Sequence, residues 1–220
     1  MILLEVTPKN FGVKILGDYG DLYSLYDTIS CYYSTECNDI EMQQRGRLLT
    51  IIGYEIRHAL RRHRLCERVE YDPNNIVEYQ GCYIDWITLI FTLACLQQNM
   101  HCENTNDIDR ANFLLLKHKS NILLSSKGIK VNIDKIISKI PANHKLIYFF
   151  HQYSLQRFCK VPVEKRIDKI NDIIDKMCVS TSPDFIDINI AFSEILINSP
   201  EKLNEYELKE ESIYPEYDKW

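Results

Sequence analysis

Residues 12–29, GVKILGDYGDLYSLYDTI, decide how the chain begins to fold. Val13, Ile15 and Leu16 form a short apolar run of strand character. Leu22, Leu25, Tyr26, Ile29 and Tyr33 then recur at the spacing of one helix face. Between the two patterns stand Gly17, Asp18, Gly20 and Asp21. A glycine loop before a helix can cradle phosphate, because backbone N–H groups and the positive helix end face the anion. Here Asp18 and Asp21 would repel that anion. A metal would need Asp18, Asp21 or Asp27 to converge with a further carboxylate. What remains is a corner. Gly17 and Gly20 permit the reversal from strand to helix, and Asp21, in preference to Asp18, caps the helix.

Working outward, residues 2–7 and 11–16 read as two strands around a Pro-Lys-Asn turn. Residues 40–65 read as one long helix with Leu48, Leu49, Ile52, Ile56, Ala59 and Leu60 in a single apolar stripe. Arg57, Arg61 and Arg64 fall on the far side, while His63 falls on the stripe. RVEYDPNNIVEY, residues 68–79, reads as a hairpin turning at Asp72-Pro73-Asn74-Asn75. DWITLIFTLACL, residues 85–96, is apolar nearly all round. A bilayer needs roughly 20 such residues, so this segment is expected to be a buried helix capped by Asp85. Thr88 and Thr92 would return their hydroxyls to backbone carbonyls.

Beyond residue 106 only helices are expected. One shows Ile167, Ile170, Ile174 and Met177 in register, with Pro162 near its first position. Another has Ser182 as N-cap, Pro183 at N1 and a core face of Phe185, Ile188, Phe192 and Ile195. The expected fold class is therefore α+β, mostly α: a small N-terminal antiparallel sheet packed on helices, followed by a helical bundle. Residues 1–100 form the α+β part and 101–200 a helical part packed on it as one domain. Residues 201–220 form an acidic tail bearing Tyr214, Tyr217 and Trp220.

Charge is polarised along the chain. The net charge is −5, which speaks against a protein that coats nucleic acid. Yet residues 45–68 hold seven Arg against Glu55 and Glu67, and residues 201–220 hold seven acids against three Lys. The eight Cys contain no C-x-x-C pair, and MILLEV is too short an apolar run for a secretion signal. A reduced, cytoplasmic protein is expected. His101, Cys102 and Cys95 lack the paired spacing of a zinc site. Glu103, Asp107 and Asp109 lie in a loop without the mid-loop Gly of an EF-hand, and read as the cap of the next helix. His144 and His151 read as structural residues of an aromatic helix. No metal and no cofactor are expected.

The chemistry-bearing segment is GYEIRHALRRHRLCER, residues 53–68. Arg57, five residues and His63 resemble the Arg–His motif of HEPN ribonucleases, helical domains of bacterial toxins and defence systems. That resemblance implies His63 as acid or base and Arg57 as the group steadying phosphate charge, with His58 beside it. Alternatively, Tyr54, Arg57, Arg61 and Arg64 form a binding face. Arg57, Arg61 and Arg64 would then clamp an acidic protein surface or a nucleic acid through their planar forks. No aromatics interleave with these arginines, which argues against specific single-strand binding. A third reading is a structural homodimer; no membrane partner is expected.

FGVKILGDYGDLYSLYDTI and RLLTIIGYEIRHALRRHR together resemble a bacterial family with no assigned function. The resemblance covers about the first 100 residues. It implies a soluble bacterial protein in which Tyr54, Arg57 and His58 face something, and it carries no activity.

Overall fold

The computed structural model describes residues 1–33, 39–72, 75–101, 105–126 and 132–208, with 69–72, 75, 76 and 204 described through the backbone alone. The turn residues Pro73 and Asn74, Cys102, Glu103 and the tail from 209 onward, with Tyr214, Tyr217 and Trp220, lie outside the described residues.

The N-terminal sheet is antiparallel and four-stranded, built from β1 (Leu3–Val6), β2 (Gly12–Gly17), β3 (Leu65–Asp72) and β4 (Asn75–Asp85). Its order is β1-β2-β4-β3. The first hairpin forms from a local signal. There Asn10 adopts the left-handed conformation, and the Thr7 hydroxyl accepts from the N–H groups of Phe11 and Gly12. The joining of the two hairpins is non-local: β2 lies against β4 from Gly12↔Asp85 to Gly17↔Gln80. Gly12 permits this approach, because a β-carbon there would overlap the Ile84 carbonyl.

Eight α-helices follow or interrupt the strands among the described residues. They are α1 (Tyr19–Ser30), α2 (Ile40–Leu60), α3 (Trp86–Asn99), α4 (Asp107–Ser126), α5 (Ile133–Ile137), α6 (Ile147–Cys159), α7 (Arg166–Cys178) and α8 (Pro183–Asn198). The fold is α+β and mostly α, as the periodicities predict. At the corner between β2 and α1, Asp18 rather than Asp21 is the N-cap; its Oδ1 accepts from the Asp21 N–H at 2.8 Å. Asp21 sits in the first turn and pairs with the amino terminus. The loop at 105–109 is a helix cap as expected. Asn106 Oδ1 accepts from the N–H groups of Ile108 and Asp109, and Asp109 Oδ2 accepts from the Asn106 N–H.

Helix α3 is the hub. Every residue from Trp86 to Leu96 is buried, and α3 packs against α2, α4, α5, α6 and the strands β2 and β4. Asp85 caps it, accepting from the Thr88 N–H at 2.7 Å. The Thr88 hydroxyl does not return to a carbonyl: it donates to Asp85 Oδ2 at 2.6 Å. Its oxygen then accepts from His151 Nε2–H of α6 at 2.9 Å. Thr92 Oγ1 is buried without a partner among the described residues. Pro162 does not open α7; a 3-10 turn, Val163–Lys165, intervenes. On α8 only Phe192 is fully buried, with Phe185, Ile188 and Ile195 partly buried against the core. Among the described residues, no helix is long and apolar enough to cross a membrane.

Candidate functional site

The arginine-rich segment is not one continuous helix. Helix α2 ends at Leu60, and β3 begins at Leu65, paired with Gly81 of β4. Arg62 takes a left-handed conformation, φ 60°. The Arg62 N–H donates to the Ala59 carbonyl at 2.8 Å and the His63 N–H to the His58 carbonyl at 2.9 Å. This double reversal is the Schellman ending of a helix, with arginine where glycine is usual. The expectation of a helix to Leu65 is therefore corrected. The ladder hydrogen bonds of β3 outweigh the helix propensity of Arg and Leu.

The turn rearranges the side chains. His63 leaves the apolar stripe and is exposed. Its ring folds back over His58, centroids 5.6 Å apart. His58 packs on Tyr54 at 4.3 Å, and the Arg57 guanidinium lies 5.4 Å above the Tyr54 ring. Arg57, Tyr54, His58 and His63 thus form one contiguous cluster of tilted rings. His58 Nδ1 is buried without a partner among the described residues. Desolvation first, then the charges of Arg64, His63 and Arg57, holds the His58 imidazole below the usual histidine range.

The arginines divide into two groups. Arg64 lies beyond the helix, and its fork closes on Glu55, with Nε 2.6 Å and Nη2 3.0 Å from the two carboxylate oxygens. Arg62 pairs with Glu78 at 3.0 Å. Arg57 and Arg61 are exposed at the end of α2 and make no ion pair among the described residues. The acidic end of the chain reaches α2 elsewhere: Glu207 pairs with Arg47, which also stacks over Tyr148 at 4.4 Å.

The other candidates separate. His144 precedes α6 and packs between Phe150 and Phe185, its Nδ1 accepting from the Leu146 N–H at 3.1 Å. Burial lowers its pKa. His151 is buried, and desolvation pushes its pKa down to about 3. Cys95 is buried inside α3. Among the described residues, no three His, Cys, Asp or Glu side chains are grouped as a metal site would require.

A family model described as a domain of unknown function, DUF6904, matches residues 2–220. The chain belongs to the DUF6904 family. No curated protein and no solved structure matches it. The DUF6904 match runs through the helical second half, whereas the resemblance read from the sequence stopped near residue 100. Two residues of this DUF6904 chain that the sequence did not single out are Tyr19 and Tyr23. Both are exposed on α1, their rings 6.0 Å apart and nearly parallel. The available signal was two aromatics at i, i+4, off the Leu22–Leu25–Ile29 stripe.

Proposed function

We propose that the chain works as a binding or accessory module that presents the basic end of α2 to an anionic partner. The observation that supports this reading is the contrast between two pairs of arginines. Arg62 and Arg64 are committed to Glu78 and Glu55. Arg57 and Arg61 are exposed and without an ion pair among the described residues. Two planar forks held at one helix end suit phosphate or carboxylate oxygens. Arg64 belongs to the frame of the site and not to its contact surface. The test is retention on heparin at low salt. The wild type is expected to bind, and Arg57→Ala/Arg61→Ala to elute at clearly lower salt. An unretained wild type, or an unchanged variant, removes this reading.

A second reading is metal-independent, HEPN-like cleavage of RNA with Arg57 and His63. One observation favours it: His63 is exposed and its ring lies against His58, the neighbour of Arg57. An exposed imidazole in one cluster with a guanidinium suits acid–base chemistry at a phosphodiester. This reading requires RNA cleavage in the presence of a chelator, abolished by His63→Ala. Intact RNA after prolonged incubation excludes it.

A further inference from the structure

We infer that the anionic partner is a single-stranded nucleic acid, held between the arginines of α2 and the exposed tyrosines of α1. The inference rests on the basic end of α2 being a binding surface.

The two flanks of α1 are distinct. Asn112 of α4 donates to Ser24 Oγ at 2.8 Å and to Thr28 Oγ1 at 2.9 Å, so α4 covers one flank. Tyr19, Tyr23 and Tyr26 occupy the other, by the 100° helical step. That flank faces α2. Tyr26 packs on Tyr33 with centroids 6.4 Å apart, and the Tyr33 ring lies over Gly53.

The direction of α2 follows from its two glycines. A β-carbon on Gly46 would stand 3.2 Å from the Tyr32 carbonyl oxygen, just past the end of α1. Gly53 meets the Tyr33 side chain. Helix α2 therefore runs back along α1 toward its N-terminal half, where Tyr19 and Tyr23 stand. Arg57 and Arg61 continue the Gly53 edge at i+4 and i+8.

The result is a row of cations beside a row of rings. Tyr19 is 59% and Tyr23 51% exposed, with an interplanar angle of 17°. Tyr54 is 46% exposed under Arg57. The sequence shows no aromatics among the arginines; α1 supplies them through the fold. Two neighbouring acids are ion-paired, Asp21 by the amino terminus and Glu55 by Arg64, and exposed Asp18, which accepts from the Asp21 N–H, marks the near edge of the surface. Asp27, exposed one turn beyond Tyr23, marks the far edge.

The chemistry favours unpaired bases. Arginines track the backbone phosphates, and exposed rings stack on base faces irrespective of base identity. A duplex hides those faces, and a carboxylate surface offers none, so either would leave the tyrosines idle.

The test uses the full chain and fluorescence anisotropy. The probes are labelled oligothymidine and oligouridine of about twelve nucleotides, a duplex of equal length, and polyglutamate. Single strands are expected to bind at least about tenfold more tightly than the duplex. Tyr19→Ala/Tyr23→Ala should weaken single-strand binding about tenfold and leave duplex and heparin binding unchanged. Tyr19→Phe/Tyr23→Phe should retain it. Arg57→Ala/Arg61→Ala should weaken every anion and reduce the log–log salt slope by about 1.4, two phosphates' worth. Equal affinity for strands and duplex, an indifferent tyrosine variant, or a preference for polyglutamate overturns the inference while the basic-face reading stands. If the arginine variant changes nothing with any probe, both fall. Circular dichroism on each variant reports the fold.

Discussion

The Tyr33 hydroxyl lies over Gly53 of α2, so closely that a β-carbon at position 53 would overlap it. This contact holds the segment that follows α1 against the middle of α2. In an unhindered helix, Gly→Ala stabilises by about 1 kcal/mol. At Gly53 the sign reverses, because the Tyr33 hydroxyl and ring must move. Gly53→Ala should cost about 1–3 kcal/mol, read as a lower Tm. A raised Tm would contradict the packing described here.

Arg62 is strained where Gly53 is not. A left-handed L-residue costs roughly 1–2 kcal/mol, and Arg62 carries that cost at the end of α2. Its exposed pairing with Glu78 returns little. Arg62→Gly should therefore stabilise by about 1 kcal/mol in urea unfolding, with heparin retention nearly kept. Arg62→Val should destabilise.

His151 makes stability depend on pH. Its pKa is about 3 in the folded chain, against about 6.5 unfolded. Between those values the unfolded chain binds a proton that the folded chain refuses. Its contribution is intact above pH ~6.5 and is lost as pH falls toward 3, with a limiting slope of about 1.4 kcal/mol per pH unit. His151→Gln should flatten the decline in urea stability between about pH 6.5 and 4.5 relative to wild type. Parallel curves would show that another group dominates.

Glu55 restrains Arg64. Glu55→Gln removes the carboxylate that closes the Arg64 fork and leaves a third arginine near Arg57 and Arg61. Heparin elution should shift to higher salt, with affinity rising about twofold. Arg64→Ala should change elution less than Arg57→Ala. The reverse order would move the binding surface off the end of α2.

Much of the fold was legible. The helices after residue 106 announce themselves through i, i+3, i+4 spacing and caps such as Asn106 and Ser182. Helix α3 is evident from its uninterrupted apolar run. These signals act over a few residues, where side chain and backbone meet regardless of the remainder of the chain. The end of α2 was not legible. Arg61, Arg62 and His63 are acceptable helix residues, and no glycine marks the stop. The helix stops where the pairing of β3 with β4 takes over, at Leu65↔Gly81.

The candidate site divides in the same way. Sequence alone determined that arginines, Tyr54, His58 and His63 would gather in one short segment, because proximity in sequence guarantees proximity in space. It also determined the class of the fold, through the switch from strand to helical periodicity at Gly17–Leu22. The tertiary structure decided which arginines are held in ion pairs. Glu55 and Glu78 claim Arg64 and Arg62, and these pairings exist only once β3 and β4 have formed beside α2. It also decided how α2 meets the segment after α1, through Gly53 accepting the Tyr33 phenol. Such contacts depend on three-dimensional closure between residues 9 to 20 positions apart, and no periodicity within either segment encodes them.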